Sequence, residues 1–242
     1  MTTSSLLLAG YNAHISTISP KVKKRMLRGG SWHKGCPVPI SDLRYLTMTY
    51  RGFDGRDHRG EMIVHRSVAR EVTDIFGKLY ASGYPIHKMR LVSDYGSSDF
   101  RSIEADNTSA FNCRPVTGGR KWSNHSYGKA IDINPIENPY ISRSGHISHK
   151  ASLQYRSRKH YDRHNPYDHA VILKRDKVTR VFQQYGWKWG GDWHSIKDYQ
   201  HFEKNVRNRT TAKKRGSSAA PSSAKAVKRS PKKLFGELEG MF

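Results

Sequence analysis

Two stretches of this sequence bring imidazoles and carboxylates together beside glycines in a way that packing and solubility do not demand. The first is Ser123-Asn124-His125-Ser126-Tyr127-Gly128-Lys129-Ala130-Ile131-Asp132, and the second is Asp198-Tyr199-Gln200-His201-Phe202-Glu203. A catalytic zinc site takes three protein ligands, commonly histidine nitrogens and a carboxylate oxygen, and leaves a fourth position for water. His125, Asp132 and His201 would supply that set. The same residues also admit a plain structural use, with His125 hydrogen-bonding a neighbour and Asp132 capping a turn. His146, His149, His160, His164 and His169 lie among Arg, Lys, Ser and Asn without a regular ligand spacing, as in a solvated cationic loop.

These side chains need elements to position them. Seven residues separate His125 from Asp132, which is not one helical face, so His125 is expected on a loop that turns at Gly128 and Asp132 on a strand at 130–133. A regular strand would point Asp198 and His201 to opposite faces, so a bend or bulge must lie between them. Apolar residues at Val64, Val68, Val72, Ile75, Phe76 and Leu79 have the three-and-four spacing of an amphipathic helix over 61–80, closed by Gly83 and Pro85. A short strand is expected at 88–92 and a second helix through Val178, Val181, Phe182 and Tyr185, ending at Gly186. The segments 187–193 and 199–203 suit strands joined by a loop, and Trp122, Trp187, Trp189 and Trp193 suit a core more than a stacking platform. The pattern is α+β, with no internal repeat. Cys36 and Cys113 are the only cysteines and form no C-x-x-C pair, which argues against a thiolate zinc site; a disulfide and two buried thiols both fit.

The first of the two stretches resembles a motif of the zinc peptidases of bacterial peptidoglycan, the D-alanyl-D-alanine carboxypeptidases of VanY type and the phage L-alanyl-D-glutamate endopeptidases. Their Ser-x-His-x-x-Gly-x-Ala-x-Asp pattern is matched by Ser123, His125, Gly128, Ala130 and Asp132, and their acidic-x-x-His pattern by Asp198 and His201. The resemblance runs from about Trp32 to Glu203 and takes in 107–114, 132–135 and 189–193. It implies a single domain with a small, mostly antiparallel sheet flanked by helices, like that of hedgehog and D-Ala-D-Ala peptidases. It implies one zinc ion per chain bound by His125, Asp132 and His201, with Asp198 as general base toward a zinc-activated water. Arg114 is the candidate for stabilising the oxyanion, and Ser123 resembles the serine that contacts substrate, although its hydroxyl equally suits fixing the loop that carries His125. The implied substrate is the stem peptide of peptidoglycan.

Charge dominates the composition: 43 Lys and Arg against 20 Asp and Glu give +23 over 242 residues. The expected organisation is an N-terminal arm at 1–31, a peptidase domain at 32–203 and a basic, disordered tail at 204–242 with eleven basic and two acidic side chains. Such a field attracts anionic envelope polymers, and it also fits nucleic acid, which the peptidase-like motifs disfavour. No run approaches the roughly 18 apolar residues of a membrane span, and no secretory signal is legible. A protein made in the cytoplasm and acting at the cell wall, as an endolysin does, is expected, or one exported by an unrecognised route. The rival readings are a zinc-stabilised binding module that has lost hydrolysis and a basic nucleic-acid-binding protein.

Overall fold

The computed structural model describes residues 10–116, 118–159, 162 and 164–205. The tail beyond Asn205 lies outside the described residues, as do His160 and the first nine residues. In chain order the elements are β1 (Ala13–Thr17), α1 (Pro20–Arg28), β2 (Leu43–Arg51), β3 (Asp57–His65), α2 (Ala69–Ala81), β4 (Lys88–Met89), α3 (Asp99–Glu104), β5 (Asn107–Thr108), β6 (Ala130–Asp132), β7 (Tyr140–Ile141), α4 (Pro166–His169), α5 (Lys177–Gln184), β8 (Lys188–Trp189), β9 (Lys197–Asp198) and β10 (His201–Glu203). The α+β reading holds, with its strands in small sheets. One has the order β1-β2-β3 and another β6-β10-β8, both antiparallel; β4 pairs with β5 in parallel and β7 with β9 antiparallel. No described helix is long and apolar enough to cross a membrane.

One core joins both three-stranded sheets to α2 and α5. Leu46, Met48, Met62 and Val64 meet Val72, Ile75, Phe76 and Leu79, and these continue into Ile131, Phe182 and Phe202. Two expectations need correction here. The helix does not begin at 61, because Met62, Ile63 and Val64 are buried consecutively on a strand paired with β2, and only the residues from Ala69 onward keep helical spacing. Residues 13–28 are also no arm. β1 pairs with β2 over Ala13–Thr17, and α1 puts its lysines in solvent while Val22 and Met26, four residues apart, pack against Leu43, Ile63 and Phe111.

After β6 the chain crosses a buried polar knot that fixes the floor beneath Asp132. Asn134 Nδ2 donates to Pro85 O (2.8 Å) and Tyr84 Oη (3.2 Å), and its Oδ1 accepts from the His87 N–H (3.1 Å). Asn138 Oδ1 accepts from Ile172 N–H and from Arg158 Nη2, both at 2.7 Å. Between them Glu137 is 1% exposed, and burial together with the neighbouring Asp106 carboxylate pushes its pKa up to about 10 from an ordinary 4.5. The folded chain therefore holds a proton that the unfolded chain releases, and stability is lost as pH rises through the window from 4.5 to about 10. Glu137→Gln, which keeps the shape of the protonated form, is expected to match the native chain near pH 4 and to be more stable by about 1–3 kcal/mol near pH 8, measured by urea denaturation at both values.

Candidate active site

The site begins with strand register. In the β6–β10 pair His201 lies directly opposite Asp132, and Phe202 opposite Ile131. Alternation along each strand then sorts the side chains: Ile131 and Phe202 turn into the core, where Phe202 stacks on Phe182 at 3.9 Å between ring centroids, while Asp132, His201 and Glu203 line the opposite, open side. His125 comes from a 3-10 turn, Asn124–Tyr127, capped by Ser123, whose Oγ accepts the His125 N–H at 3.3 Å. The turn ends at Gly128, with φ +62 and a Cβ position 2.5 Å from the His65 nitrogen, so only glycine closes it. The loop and strand expected for His125 and Asp132 are thus observed.

His125 Nε2 lies 3.2 Å from Asp132 Oδ2, His201 Nδ1 lies 3.0 Å from Asp132 Oδ1, and the two histidine nitrogens are 3.3 Å apart. Three buried or half-buried donor atoms thus face one point, as the ligands of a metal do. These residues could hold a metal ion, and their nitrogen and carboxylate chemistry suits zinc. Burial opposes charge at His201, but the carboxylates of Asp132, Glu203 and Asp198 outweigh it and hold the imidazole up to about 10. Burial likewise opposes the Asp132 carboxylate, yet the two histidines keep it well below the usual range.

Each imidazole is also held from behind. His125 Nδ1 lies 2.6 Å from Ala110 O, and His201 Nε2 lies 3.3 Å from Glu203 Oε2, which also accepts from Asn124 Nδ2. These contacts would fix the tautomers that offer His125 Nε2 and His201 Nδ1 to a cation in place of their protons. Glu203 and Asn124 had no role in the sequence reading. The signal was present in the alternation His201-Phe202-Glu203, which places positions 201 and 203 on one face.

Asp198 reaches the same cavity by another route. β9 pairs with β7, Asp198 opposite Tyr140, and the chain then breaks at Tyr199 and Gln200 before entering β10. This is the bend that the two side chains require. Asp198 Oδ1 is buried without a hydrogen-bond partner, and burial, helped by the charge of Asp132, pushes the carboxyl up to about 6.

The cavity measures about 560 Å3, and its wall includes Arg114, Ser123, Trp122 and Trp193. Arg114 forms an ion pair with Asp99 and donates from Nη1 to Pro115 O (3.0 Å). Its backbone is clipped to the His125 turn, since Arg114 N–H donates to Ser126 Oγ at 2.9 Å. Of the four tryptophans expected in the core, Trp187 and Trp189 are there, whereas Trp122 and Trp193 line the cavity, Trp193 with its ring 5.3 Å from that of His201. His149 departs from the solvated reading of its cluster: it is 7% exposed, 2.7 Å from Glu104 and stacked on Phe100 at the cavity wall, while His146 and His164 are exposed.

A family model described as D-alanyl-D-alanine carboxypeptidase matches residues 117–204. The match contains His125, Asp132, Asp198, His201 and Glu203, and it begins three residues after Arg114. No curated protein and no solved structure matches the chain. Because Glu203 steadies His201 from behind, Glu203→Ala is expected to weaken binding of a divalent metal ion at this group by about 10–100-fold with an unchanged far-ultraviolet dichroism spectrum. Glu203→Gln, which still offers an oxygen to His201, should retain most of the affinity in a competition titration against a chromogenic chelator.

Proposed function

We propose, from the match of residues 117–204 to the D-alanyl-D-alanine carboxypeptidase family of metallopeptidases, that this protein is a zinc-dependent hydrolase of the peptidoglycan stem peptide. The bond cut is of the D-Ala-D-Ala carboxypeptidase or L-Ala-D-Glu endopeptidase type. The observation that carries this reading is the convergence of His125 Nε2, Asp132 and His201 Nδ1 in a cavity that also holds a buried, unpartnered carboxylate oxygen of Asp198. Zinc held by the three ligands would polarise the scissile carbonyl and lower the pKa of a water molecule to about 7.

The remaining work falls to the protein's own groups. Asp198 is the general base: its free Oδ1 accepts a proton from water, and a carboxyl raised toward neutrality is matched both to take that proton and to return it to the departing amine. Arg114 offers fixed positive charge to the oxygen on which negative charge develops, and its pairing with Asp99 holds the guanidinium in place before substrate arrives. Ser123 serves the His125 turn first, and its hydroxyl proton remains available to substrate. Trp122 and Trp193 give the cavity apolar walls. The basic tail at 204–242 adheres to anionic envelope polymers.

Asp198→Asn is expected to lower kcat by about 100- to 10,000-fold while zinc content stays at the native level. The assay is mass spectrometry of fragments released from purified peptidoglycan, with a chelator-treated control. New stem-peptide termini that depend on metal and on Asp198 are the expected result; metal-loaded native protein that releases nothing from several wall types would sink the hydrolase reading.

A further inference from the structure

We propose that His33, Cys36 and Cys113 form a second metal site, open to a soft divalent cation such as zinc only when the disulfide between the two cysteines is reduced. In the structure Cys36 and Cys113 are joined, with their Cα atoms 5.9 Å apart. A nitrogen of His33 and the two sulfurs nevertheless all lie within 4.8 Å of one another. The 77-residue gap between the cysteines hid this grouping from the sequence, where no thiolate site was expected.

The surroundings are those of a metal-binding turn. Residues 33–36 form a tight turn in which Cys36 N–H donates to His33 O and His33 N–H donates to Cys36 Sγ, both at 3.3 Å. Gly35 carries φ +99, a conformation that glycine adopts without strain, and the turn brings His33 and Cys36 to one side. An N–H aimed at sulfur favours the thiolate over the thiol. Cys113 is brought alongside by its own N–H, which donates to Ser31 O at 3.0 Å. His33 Nδ1 lies 3.0 Å from Lys34 O, so a proton on Nδ1 is shared with that carbonyl and Nε2 is left as the ligand atom. His33 is exposed, which gives an ion a way in, and Cys113 is buried.

The chemistry balances. A dithiol or phosphine reductant supplies two electrons, two protons are taken from water, and the S–S bond becomes two thiols. The incoming cation displaces both thiol protons and accepts the His33 lone pair, with a fourth position left for water. Oxidation reverses this, since sulfurs bonded to each other no longer offer two thiolates. The two states would be felt at the active cavity, because Arg114 follows Cys113 directly and the Trp122 ring lies 6.3 Å from that of His33, and both residues line the cavity wall. The site itself lies outside the stretch that matches the peptidase family, so it stands whether or not the hydrolase reading does.

The test uses the full chain, as the disulfide form and after reduction with a phosphine that is then removed under anaerobic conditions. Each form is titrated with cobalt(II), following the thiolate-to-cobalt charge-transfer band in the near ultraviolet, and the cobalt is then displaced with zinc. The reduced chain is expected to take up one more equivalent than the disulfide chain, and that equivalent alone carries the band. His33→Ala leaves both cysteines and the disulfide intact, and it should weaken the extra equivalent by more than the ~10-fold typical of losing an outer-shell partner. Absence of the band in reduced, folded chain would overturn the proposal, and so would an unchanged affinity in His33→Ala.

Discussion

The register between β6 and β10 is the constraint on which the rest of the site depends. A strand alternates its faces with a period of two, so a slip of one residue would send Asp132 and His201 inward and Ile131 and Phe202 into the cavity. What prevents the slip is apolar: Ile131 and Phe202 are fully buried opposite each other, and Phe202 is stacked on Phe182 of α5. Burying one such phenylalanine stabilises by about 1.5–3 kcal/mol relative to exposure, and the same step fixes where two ligands stand. Packing and chemistry are therefore carried by adjacent residues of the same three-residue strand.

The cost of that arrangement is electrostatic. Asp132, Asp198, His125 and His201 crowd one buried corner of the cavity, where burial pushes Asp198 up to about 6 while the carboxylates around His201 hold its imidazole up to about 10. A divalent cation would satisfy the same cluster by replacing protons, and the groups behind the two imidazoles are disposed for it. Ala110 O holds one imidazole and Glu203 the other, and Glu203 is in turn held by Asn124, the neighbour of His125. These contacts limit how far either imidazole can move.

That His125, Asp132, Asp198 and His201 would share one region was legible from two short motifs and the family resemblance they carry, and the loop turning at Gly128 was legible from a glycine at a position of positive φ. The break between Asp198 and His201 was legible as well, since strand alternation cannot place both side chains in one cavity. Long-range pairing was not legible. The disulfide and its neighbour His33 are joined across 77 residues, and no periodicity marks them. β1 and α1 read as an arm because lysines dominate the segment, while the apolar residues that dock it, Val22 and Met26, number only two per face. The start of α2 was misplaced because Val64 and Val68 sit four apart by coincidence, one at the end of a strand and the other just before a helix. Glu203 was overlooked because it touches His201 from behind and does not face the point on which His125, Asp132 and His201 converge.

The most direct test of this account is a crystal structure of the zinc-soaked protein with anomalous differences recorded on both sides of the zinc absorption edge. The account predicts a peak bound by His125 Nε2, an Asp132 oxygen and His201 Nδ1, with Glu203 Oε2 still against His201 Nε2. A zinc ion bound instead through His201 Nε2 and Glu203, or no peak between His125 and Asp132 at full zinc occupancy elsewhere, would contradict it.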